Sequence, residues 1–507
     1  MNHTTLAALT SAAVSLSYWL FFRRRQVPGP ASPLPLPPGP SPLPFLGNVL
    51  DMPRKREWET FSRWHKAYGD IVFVSLVGRP MIILNSFEAT TELLDDRSTT
   101  YSDRPRFPLI DLIDHEFNFG FMAFGQQWKT NRRLFSNQYN KNTVHTFEHA
   151  FRASVSTLLR NLLRDPESFA DHLRLHAGQV ILDVTYGVTV TSREDPLIRI
   201  AEAVMDATSV AISPAMWVLN PIPILQSLPT WLGGENLSRR LRQWQKDIRD
   251  LQDVPFERVK ASLVTRDVRP SFTSILLQED DSAEQENMIR QCAAVAYGAA
   301  SDTTVAAAVV FFLTMALYPD VQKKAQAEID RVVGSDRLPN YTDQGELPYV
   351  TAVLKEVQEI FNFLPGLPHM TTKDDEYIGY RIPAGSIVVG NIWGMLHDPR
   401  MYPDPSVFDP ERYLHAGRLD CSTNDPSRIA FGFGRRSCPG KNFAETSLWL
   451  LVAQCLAVYS ISPADEKAAH NLDFTSGAIS HPIPFPCIIR PRSESARMLL
   501  ENISADL

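Results

Sequence analysis

One cysteine lies within a segment of glycines and arginines, FGFGRRSCPG, at residues 431 to 440. The glycines permit a tight backbone around Cys438, and such a loop can direct several N–H groups at the sulfur. A helical run begins just after the loop, and the dipole of a helix N-terminus also favours an anion. The pattern therefore predicts a thiolate at Cys438, with Arg436 placed to bind a carboxylate of a group docked beside the sulfur.

An acid also lies in the middle of a long apolar helix. The hydrophobic pattern predicts this helix from Ser282 to Tyr318, apolar nearly all round, so we expect it to cross the middle of the domain. Asp302 and Thr303 lie at its centre, and a buried acid is costly unless it is paired or used. Because perturbed acids cluster at functional sites, Asp302 is a candidate catalytic residue. The alternative is a buried aspartate that caps a local break near Gly298.

The elements around these residues are predicted to be mainly helical, with a smaller β region. Residues 70–86 and 377–392 each show the pattern of a β-hairpin, and most of the remaining chain has helical periodicity. No second linker and no repeat interrupts the chain after its first segments. We therefore expect one large domain over residues 47–507.

Composition narrows the class of protein. The chain of 507 residues is 44% hydrophobic, which supports a large core. A net charge of -7, without a long basic run beyond the first few dozen residues, argues against nucleic acid as a partner. The five cysteines are scattered without a CxxC pair, which argues against a disulfide framework or a zinc site and fits a reducing compartment.

The N-terminus carries a candidate membrane anchor. Residues 6–22 are uncharged and long enough to span a thin bilayer, and three arginines follow at residues 23–25. A cleaved signal peptide is the alternative, but it would carry its positive charge before the apolar run. We expect an anchor over residues 1–26, followed by a proline-rich hinge or disordered linker over residues 27–46. This orientation places the domain in the cytosol and Asn2, within a glycosylation sequon, in the lumen.

The cysteine segment resembles the haem-ligand signature of the cytochrome P-450 superfamily. The match is Phe431-x-x-Gly434-x-Arg436-x-Cys438-x-Gly440, with five specified positions in ten residues. The resemblance implies that Cys438 is the axial ligand of the iron of haem b and that Arg436 contacts a haem propionate. A thiolate ligand in this family favours cleavage of the O–O bond. The alternative is an ordinary buried core cysteine.

Other segments resemble the same family. Trp128-x-x-x-Arg132 is similar to the helix whose indole and guanidinium bind the propionates, and the segment LPH, ending at His369, is similar to the strand whose histidine meets a propionate. The segment ASDTT resembles the oxygen-activation segment, which implies that Asp302 and Thr303 relay protons during oxygen activation. The implied architecture is the cytochrome P-450 fold, mainly α with a smaller β region, preceded by a transmembrane helix.

One part of the family pattern is broken. The segment FDPERYL resembles the family's meander motif with Arg412 as its arginine, but Glu359 stands where the preceding Glu-x-x-Arg helix has its arginine, after Glu356. Losing one partner of a buried pair typically costs about 3–5 kcal/mol. Glu359 is protonated, or pairs with Arg412, or the helix differs locally, or residues 358–364 reflect a misread splice junction. We therefore expect the protein to be less stable or to retain haem less well.

The resemblance implies a monooxygenase that inserts one oxygen atom from O2 into a lipophilic small molecule. Electrons would come from NADPH through a membrane-bound NADPH-cytochrome reductase carrying FAD and FMN, with cytochrome b5 as a further candidate partner. The chain resembles fungal microsomal members, which implies the endoplasmic reticulum membrane and a terpenoid, polyketide or alkaloid substrate. The implied pocket walls are residues 117–124, Ala299, Thr303, the strand after Gly366 and residues 475–480, with residues 216–232 dipping into the membrane.

Two alternatives from other classes remain open at this point. One is a haem-thiolate isomerase or dehydratase that works without a reductase, against which the retention of Asp302 and Thr303 argues. The other is a degenerate, non-catalytic haem-binding or lipid-binding protein, for which Glu359 is the supporting feature.

Overall fold

The computed structural model describes residues 33–213, 234–280, 282–360, 366–420, 423–465, 473–477 and 479–503. The proposed anchor with Asn2, the segment 216–232 and residues 361–365 of the deviating segment lie outside these described residues. The described part is mainly helical with small sheets, as expected.

The longer helices are α1 (Glu57–Tyr68), α2 (Gln126–Gln138), α3 (Glu148–Arg164), α4 (Phe169–Tyr186), α5 (Pro196–Ala211), α6 (Gly234–Thr265), α7 (Phe272–Glu279), α8 (Ala283–Leu317), α9 (Pro319–Val332), α10 (Pro348–Ile360), α11 (Lys441–Val458) and α12 (Glu494–Asn502). The strands are β1 (Ile71–Leu76), β2 (Arg79–Leu84), β3 (His369–Met370), β4 (Asp375–Tyr377), β5 (Tyr380–Ile382), β6 (Ile387–Gly390), β7 (Leu414–His415), β8 (Arg418–Leu419), β9 (Tyr459–Pro463) and β10 (Cys487–Pro491). Short helical turns lie at Phe87–Thr90, Thr91–Asp96, Ser98–Tyr101, Pro108–Leu112, Val144–Phe147, Pro166–Ser168, Tyr341–Glu346, Ile392–Leu396, Pro410–Tyr413, Ser427–Ala430 and Gly434–Arg436.

The long central helix is confirmed within a residue at each end. Helix α8 has 35 residues and continues unbroken through Gly298. It packs against α4, α5, α6, α7 and α11, so it crosses the middle of the domain. It ends before Tyr318 because Pro319 lacks an N–H and begins the next helix instead. Among the described residues, α8 is the helix long and apolar enough to cross a membrane, yet 67% of its most apolar window is buried, as in a core helix.

The first predicted hairpin is confirmed and the second is wrong. Strands β1 and β2 pair antiparallel, from Ile71 opposite Leu84 to Leu76 opposite Arg79. Strands β5 and β6, which the sequence suggested as a pair, belong to different sheets: β5 pairs with β4, and β6 lies between β2 and β3. All four residues of β6 are buried. A strand buried on both faces needs neighbours on both edges, which explains its place inside the larger sheet.

The described end of the proline-rich segment contacts two sheets, at β1 in the larger sheet and at β5 in the β4–β5 sheet. The carbonyl oxygen of Pro38 accepts the N–H of Phe73 at 2.9 Å, and that of Pro35 accepts the N–H of Arg381 at 2.9 Å. The Cα of Gly39 lies so close to Phe73 that an added Cβ would be 1.9 Å from its carbonyl oxygen. The hinge residues from Pro35 onward therefore contact the main domain directly.

Candidate active site

The loop around Cys438 is as tight as its glycines suggest. Gly434 has φ 58°, and a Cβ at this position would lie 2.0 Å from the carbonyl oxygen of Leu94, so only glycine fits. The N–H of Cys438 donates to the carbonyl oxygen of Phe431 at 2.7 Å and closes the loop. Helix α11 begins three residues later, at Lys441.

The loop by itself does not hold a thiolate. Burial raises the pKa of the Cys438 thiol above its ordinary value, and this effect outweighs the N–H of Gly440 and the charge of Arg132, which lower it. A sulfur in this position becomes an anion only when a further cation approaches it, as a metal ion does. The residues of the loop therefore fit an iron ligand better than a free reactive thiolate.

Cys438 nevertheless borders open space. The side chain is exposed by area, although desolvation by the surrounding protein dominates its pKa shift. Both observations hold if the sulfur faces an internal cavity. Helix α8 shows the same contrast, because Ala299 is exposed and residues 300–303 are partly exposed, while the helix on either side of them is buried.

Three guanidinium groups form a cationic cluster near this loop: Arg104 and Arg436, which are buried, and Arg132, which is partly buried. Arg132 extends from α2 and donates to the carbonyl oxygen of Ser437. Arg104 and Arg436 each donate three hydrogen bonds of 2.7–3.1 Å to backbone carbonyl oxygens. Their acceptors are Gly120, Leu367 and Pro368 for Arg104, and Ser102, Phe119 and Met122 for Arg436. The guanidinium of Arg436 also lies 4.5 Å from the ring centre of Trp128.

The positive charges of this cluster favour the binding of an anion. Burial, followed by the charges of Arg436 and Arg132, holds the pKa of Arg104 well below its ordinary value. Burial also lowers the pKa of Arg436 to about 10. Asp103 opposes these shifts, but its Oδ1 already accepts the N–H of Phe124 at 2.8 Å. Buried charges need partners, and the two propionate carboxylates of a haem would supply them.

His369 lies in the same cluster. Its Nδ1 donates to the carbonyl oxygen of Tyr101 at 2.8 Å. Burial and the charge of Arg104 lower the pKa of His369 to about 3, so the ring is neutral. The four residues predicted from the resemblance to hold propionates are thus brought together: Trp128, Arg132, His369 and Arg436. The sequence analysis did not identify Arg104. The one available signal is that Arg104 is a charged residue shortly before the aromatic segment at residues 117–124.

Asp302 and Thr303 lie on one turn of α8, as their spacing predicts. The hydroxyl of Thr303 donates to the carbonyl oxygen of Ala299 at 2.9 Å. The Oδ2 of Asp302 lies 3.1 Å from Nε2 of His481, a residue that sequence reasoning missed. Because α8 is unbroken at Gly298, Asp302 does not cap a break there. No signal short of tertiary structure connects His481 with Asp302, since they are far apart in the chain.

The deviating ion network is compact. Nε of Arg412 lies 3.2 Å from Glu356 and 3.5 Å from Glu359, and all three side chains are buried. The hydroxyl of Tyr413 donates to Oε2 of Glu359 at 2.5 Å, and the N–H of Asp409 donates to Glu356 at 2.7 Å. Both carboxylates thus have polar partners, and Glu359 pairs with Arg412.

Two carboxylates around one guanidinium still leave an excess of negative charge. Burial and the neighbouring charge of Glu359 raise the pKa of Glu356 to about 9, and burial raises the pKa of Glu359 as well. One carboxyl of the pair therefore keeps its proton at neutral pH. Pairing of Glu359 with Arg412, one of the possibilities left open by the sequence, is therefore observed, and the strongly raised pKa beside it is that of Glu356.

Comparisons with known proteins agree with this geometry. The family model "Cytochrome P-450" matches residues 37–488. The chain is 39% identical to cytochrome P-450 monooxygenase 208 of Postia placenta, over 99% of this chain and 98% of that protein. It is 38% identical to a cytochrome P-450 monooxygenase of Armillaria gallica over the full length of both, and 35% identical to tryptamine 4-monooxygenase of Psilocybe cyanescens over 93% and 95% of the two chains. The chain therefore belongs to the cytochrome P-450 family of haem-dependent monooxygenases.

Proposed function

We propose that this monooxygenase inserts one oxygen atom from O2 into a lipophilic small molecule of fungal secondary metabolism, with electrons from NADPH delivered by a flavoprotein reductase. The observation that carries the proposal is the cluster of Arg104, Arg132 and Arg436, in which Arg132 donates to the loop of Cys438. Bound haem supplies the activation of oxygen at its iron.

The residues of the chain hold and orient that group. Cys438 would ligate the iron, and the three arginines would bind the propionates, with the neutral ring of His369 beside them. Trp128 stacks on Arg436 and fixes its guanidinium plane. Because the arginines already donate to backbone carbonyl oxygens, their positions are set before the haem binds.

The surroundings of the site support a lipophilic substrate. The aromatic segment at residues 117–124 packs with Phe107, His115 and Phe135 in a network of ring contacts. Pockets for small molecules are lined mostly by apolar and aromatic side chains with few polar groups. One relative carries tryptamine, a small aromatic amine, in its name. Terpenoids, polyketides and alkaloids are the candidate classes.

Asp302 and Thr303 are the candidates for supplying protons. The hydroxyl of Thr303 donates to the carbonyl oxygen of Ala299, which leaves the hydroxyl oxygen free to accept a hydrogen bond from another donor. Asp302 is partly exposed on the neighbouring position of the same turn, so it can exchange protons with water. We assign proton delivery to this pair.

The proposed cellular setting follows from the N-terminal sequence. An anchor over residues 1–26 would fix the chain in the endoplasmic reticulum membrane by a single pass, with the catalytic domain in the cytosol. A membrane-bound reductase and cytochrome b5 would then meet the domain on the same side. Asn2 would face the lumen as a glycosylation acceptor. The reductase-independent enzyme is not favoured because Asp302 and Thr303 are retained, and the degenerate binding protein is not favoured because Glu359 has Arg412 and Tyr413 as partners.

Microsomes that contain the chain and a fungal NADPH-cytochrome reductase test the proposal. We expect a thiolate-type Soret band in the reduced, carbon-monoxide-bound spectrum, and a gain of one ¹⁸O atom from ¹⁸O2 into members of a panel of apolar molecules that includes 7-ethoxycoumarin. Cys438→Ser should abolish both signals, whereas Cys487→Ser, a partly buried cysteine in β10, should preserve them. A normal Soret band without ¹⁸O incorporation into any panel member would contradict the proposed substrate class.

A further inference from the structure

The partner of Asp302 comes from a distant part of the chain. Nε2 of His481 lies 3.1 Å from Oδ2 of Asp302, and the two side chains are 25% and 28% exposed. Among the described residues, His481 is the side chain that forms a hydrogen bond with Asp302. A histidine in contact with both a carboxylate and solvent can carry protons between them, because its ordinary pKa lies near neutrality.

The loop that carries His481 is closed on itself. The N–H of Thr475 donates to the carbonyl oxygen of His481 at 2.8 Å, and the N–H of His481 donates to the hydroxyl oxygen of Thr475 at 2.9 Å. The hydroxyl of Ser480 donates to the carbonyl oxygen of Thr475. Phe474 and Pro482 form a bridge at the base of this loop. These bonds hold His481 in place independently of its contact with Asp302.

A third titratable group completes the cluster. Asp206 extends from α5, and its pKa is raised by burial and by the charge of Asp302, while His481 opposes the rise. The facing groups are therefore Asp206 on α5, Asp302 on α8 and His481 on the loop. Two carboxylates to one imidazole create a local excess of negative charge, which draws protons to the cluster.

We propose that His481 is a positioning residue that passes solvent protons to Asp302. The inference rests on the proposed function, in which Asp302 supplies protons to the site. Nδ1 of His481 takes a proton from a hydronium ion, which leaves as water, while Nε2 gives its proton to the carboxylate oxygen Oδ2 of Asp302, so the imidazole stays neutral overall. Exchange of its ring protons with water then restores the first tautomer. Asp206 is close enough for the charges of Asp302 and His481 to shift its pKa, so it belongs to the same electrostatic cluster.

The alternative is that His481 only ties its loop to α8. His481→Gln separates the two roles, because a glutamine amide can still donate to Asp302 but cannot take up one proton and release another. His149→Gln is a matched control. His149 lies 3.4 Å from Asp183 and forms a similar histidine–aspartate pair on the surface, on α3.

The test uses the full-length holoenzyme with reductase and 7-ethoxycoumarin as the probe, driven either by NADPH and O2 or by hydrogen peroxide. Hydrogen peroxide brings its own protons and electrons together with the oxygen, so it bypasses a proton relay. We expect His481→Gln to lower the NADPH-driven rate about tenfold and to change the peroxide-driven rate by less than about twofold. Hydrogen–deuterium exchange over residues 473–485 should stay at the wild-type level, and His149→Gln should change nothing.

Other outcomes would contradict the proposed relay. Equal losses in both reactions, or faster deuterium exchange in the loop, would show a structural role and overturn the relay. An unchanged NADPH-driven rate would overturn it as well. A wild-type protein that binds haem but oxidises the probe under neither condition would contradict the proposed function itself, and the relay would fall with it.

Discussion

Replacing Glu359 with glutamine tests the account of the deviating ion network. The hydroxyl of Tyr413 can donate to the amide oxygen of Gln as it does to Oε2 of Glu359. The amide N–H2 can then donate toward Glu356, in place of the proton that the two carboxyls hold between them. Glu356 is left as the single carboxylate beside Arg412, with a second hydrogen bond from the N–H of Asp409. Glu359→Gln should therefore stabilise the protein.

The stability of the wild-type protein should depend on pH, because the pKa of Glu356 is raised. The unfolded chain loses the proton near the ordinary value of 4.5, whereas the folded state keeps it up to about pH 9. Between these values the unfolded state binds fewer protons, so stability falls as pH rises, by about 1.4 kcal/mol per pH unit. The loss in the free energy of unfolding that this pKa shift causes is at most about 1 kcal/mol at pH 5 and about 5 kcal/mol at pH 8. For a domain of this size, about 1 kcal/mol shifts Tm by about 1 °C.

The assay is thermal unfolding of the holoenzyme at several pH values between 5 and 8, at one scan rate. The Tm of Glu359→Gln should match that of the wild type at pH 5 and exceed it by up to about 5 °C at pH 8. Glu411→Gln serves as the control, because it removes an exposed carboxylate from the short helical turn Pro410–Tyr413, which also contains Arg412. A constant offset at all pH values, or a lower Tm at pH 8, would refute the shared-proton account. Glu359→Arg, which restores the family pattern, should raise Tm and haem retention as well.

Other predictions concern the cationic cluster and the cysteine loop. Arg104→Gln leaves buried carbonyl oxygens without donors and removes a charge that would bind propionate, so haem content after gel filtration should fall several-fold, while Arg106→Gln at the surface should keep it. Equal haem content in both variants would contradict the role of the cluster. Gly434→Ala should yield no folded holoenzyme, because its Cβ would meet the carbonyl oxygen of Leu94. Gly432→Ala, at a positive φ but with open space around it, should cost only about 1 kcal/mol, as measured by chemical denaturation.

Local signals made several features predictable from the sequence. The central helix has an apolar pattern and a proline directly after it, and the first hairpin has alternating residues around a glycine turn. The tight loop at Cys438 follows from glycines whose backbone requirements are local. The second hairpin is wrong because β6 pairs with β2 and β3 rather than with its neighbour β5. Strand pairing depends on which surfaces the folded chain buries, and local pattern does not carry that information.

The sequence by itself determined the family and the candidate site residues whose spacing matches the family motifs, with Cys438 as the proposed haem ligand. Only the tertiary structure determined which charged side chains interact with one another. Arg104 joins the other guanidinium groups, His481 meets Asp302, and Glu359 shares a proton with its neighbour on α10 only because the fold brings them within a few ångströms of one another. Charge interactions in a buried site depend on distance and desolvation, and both are properties of the packed chain.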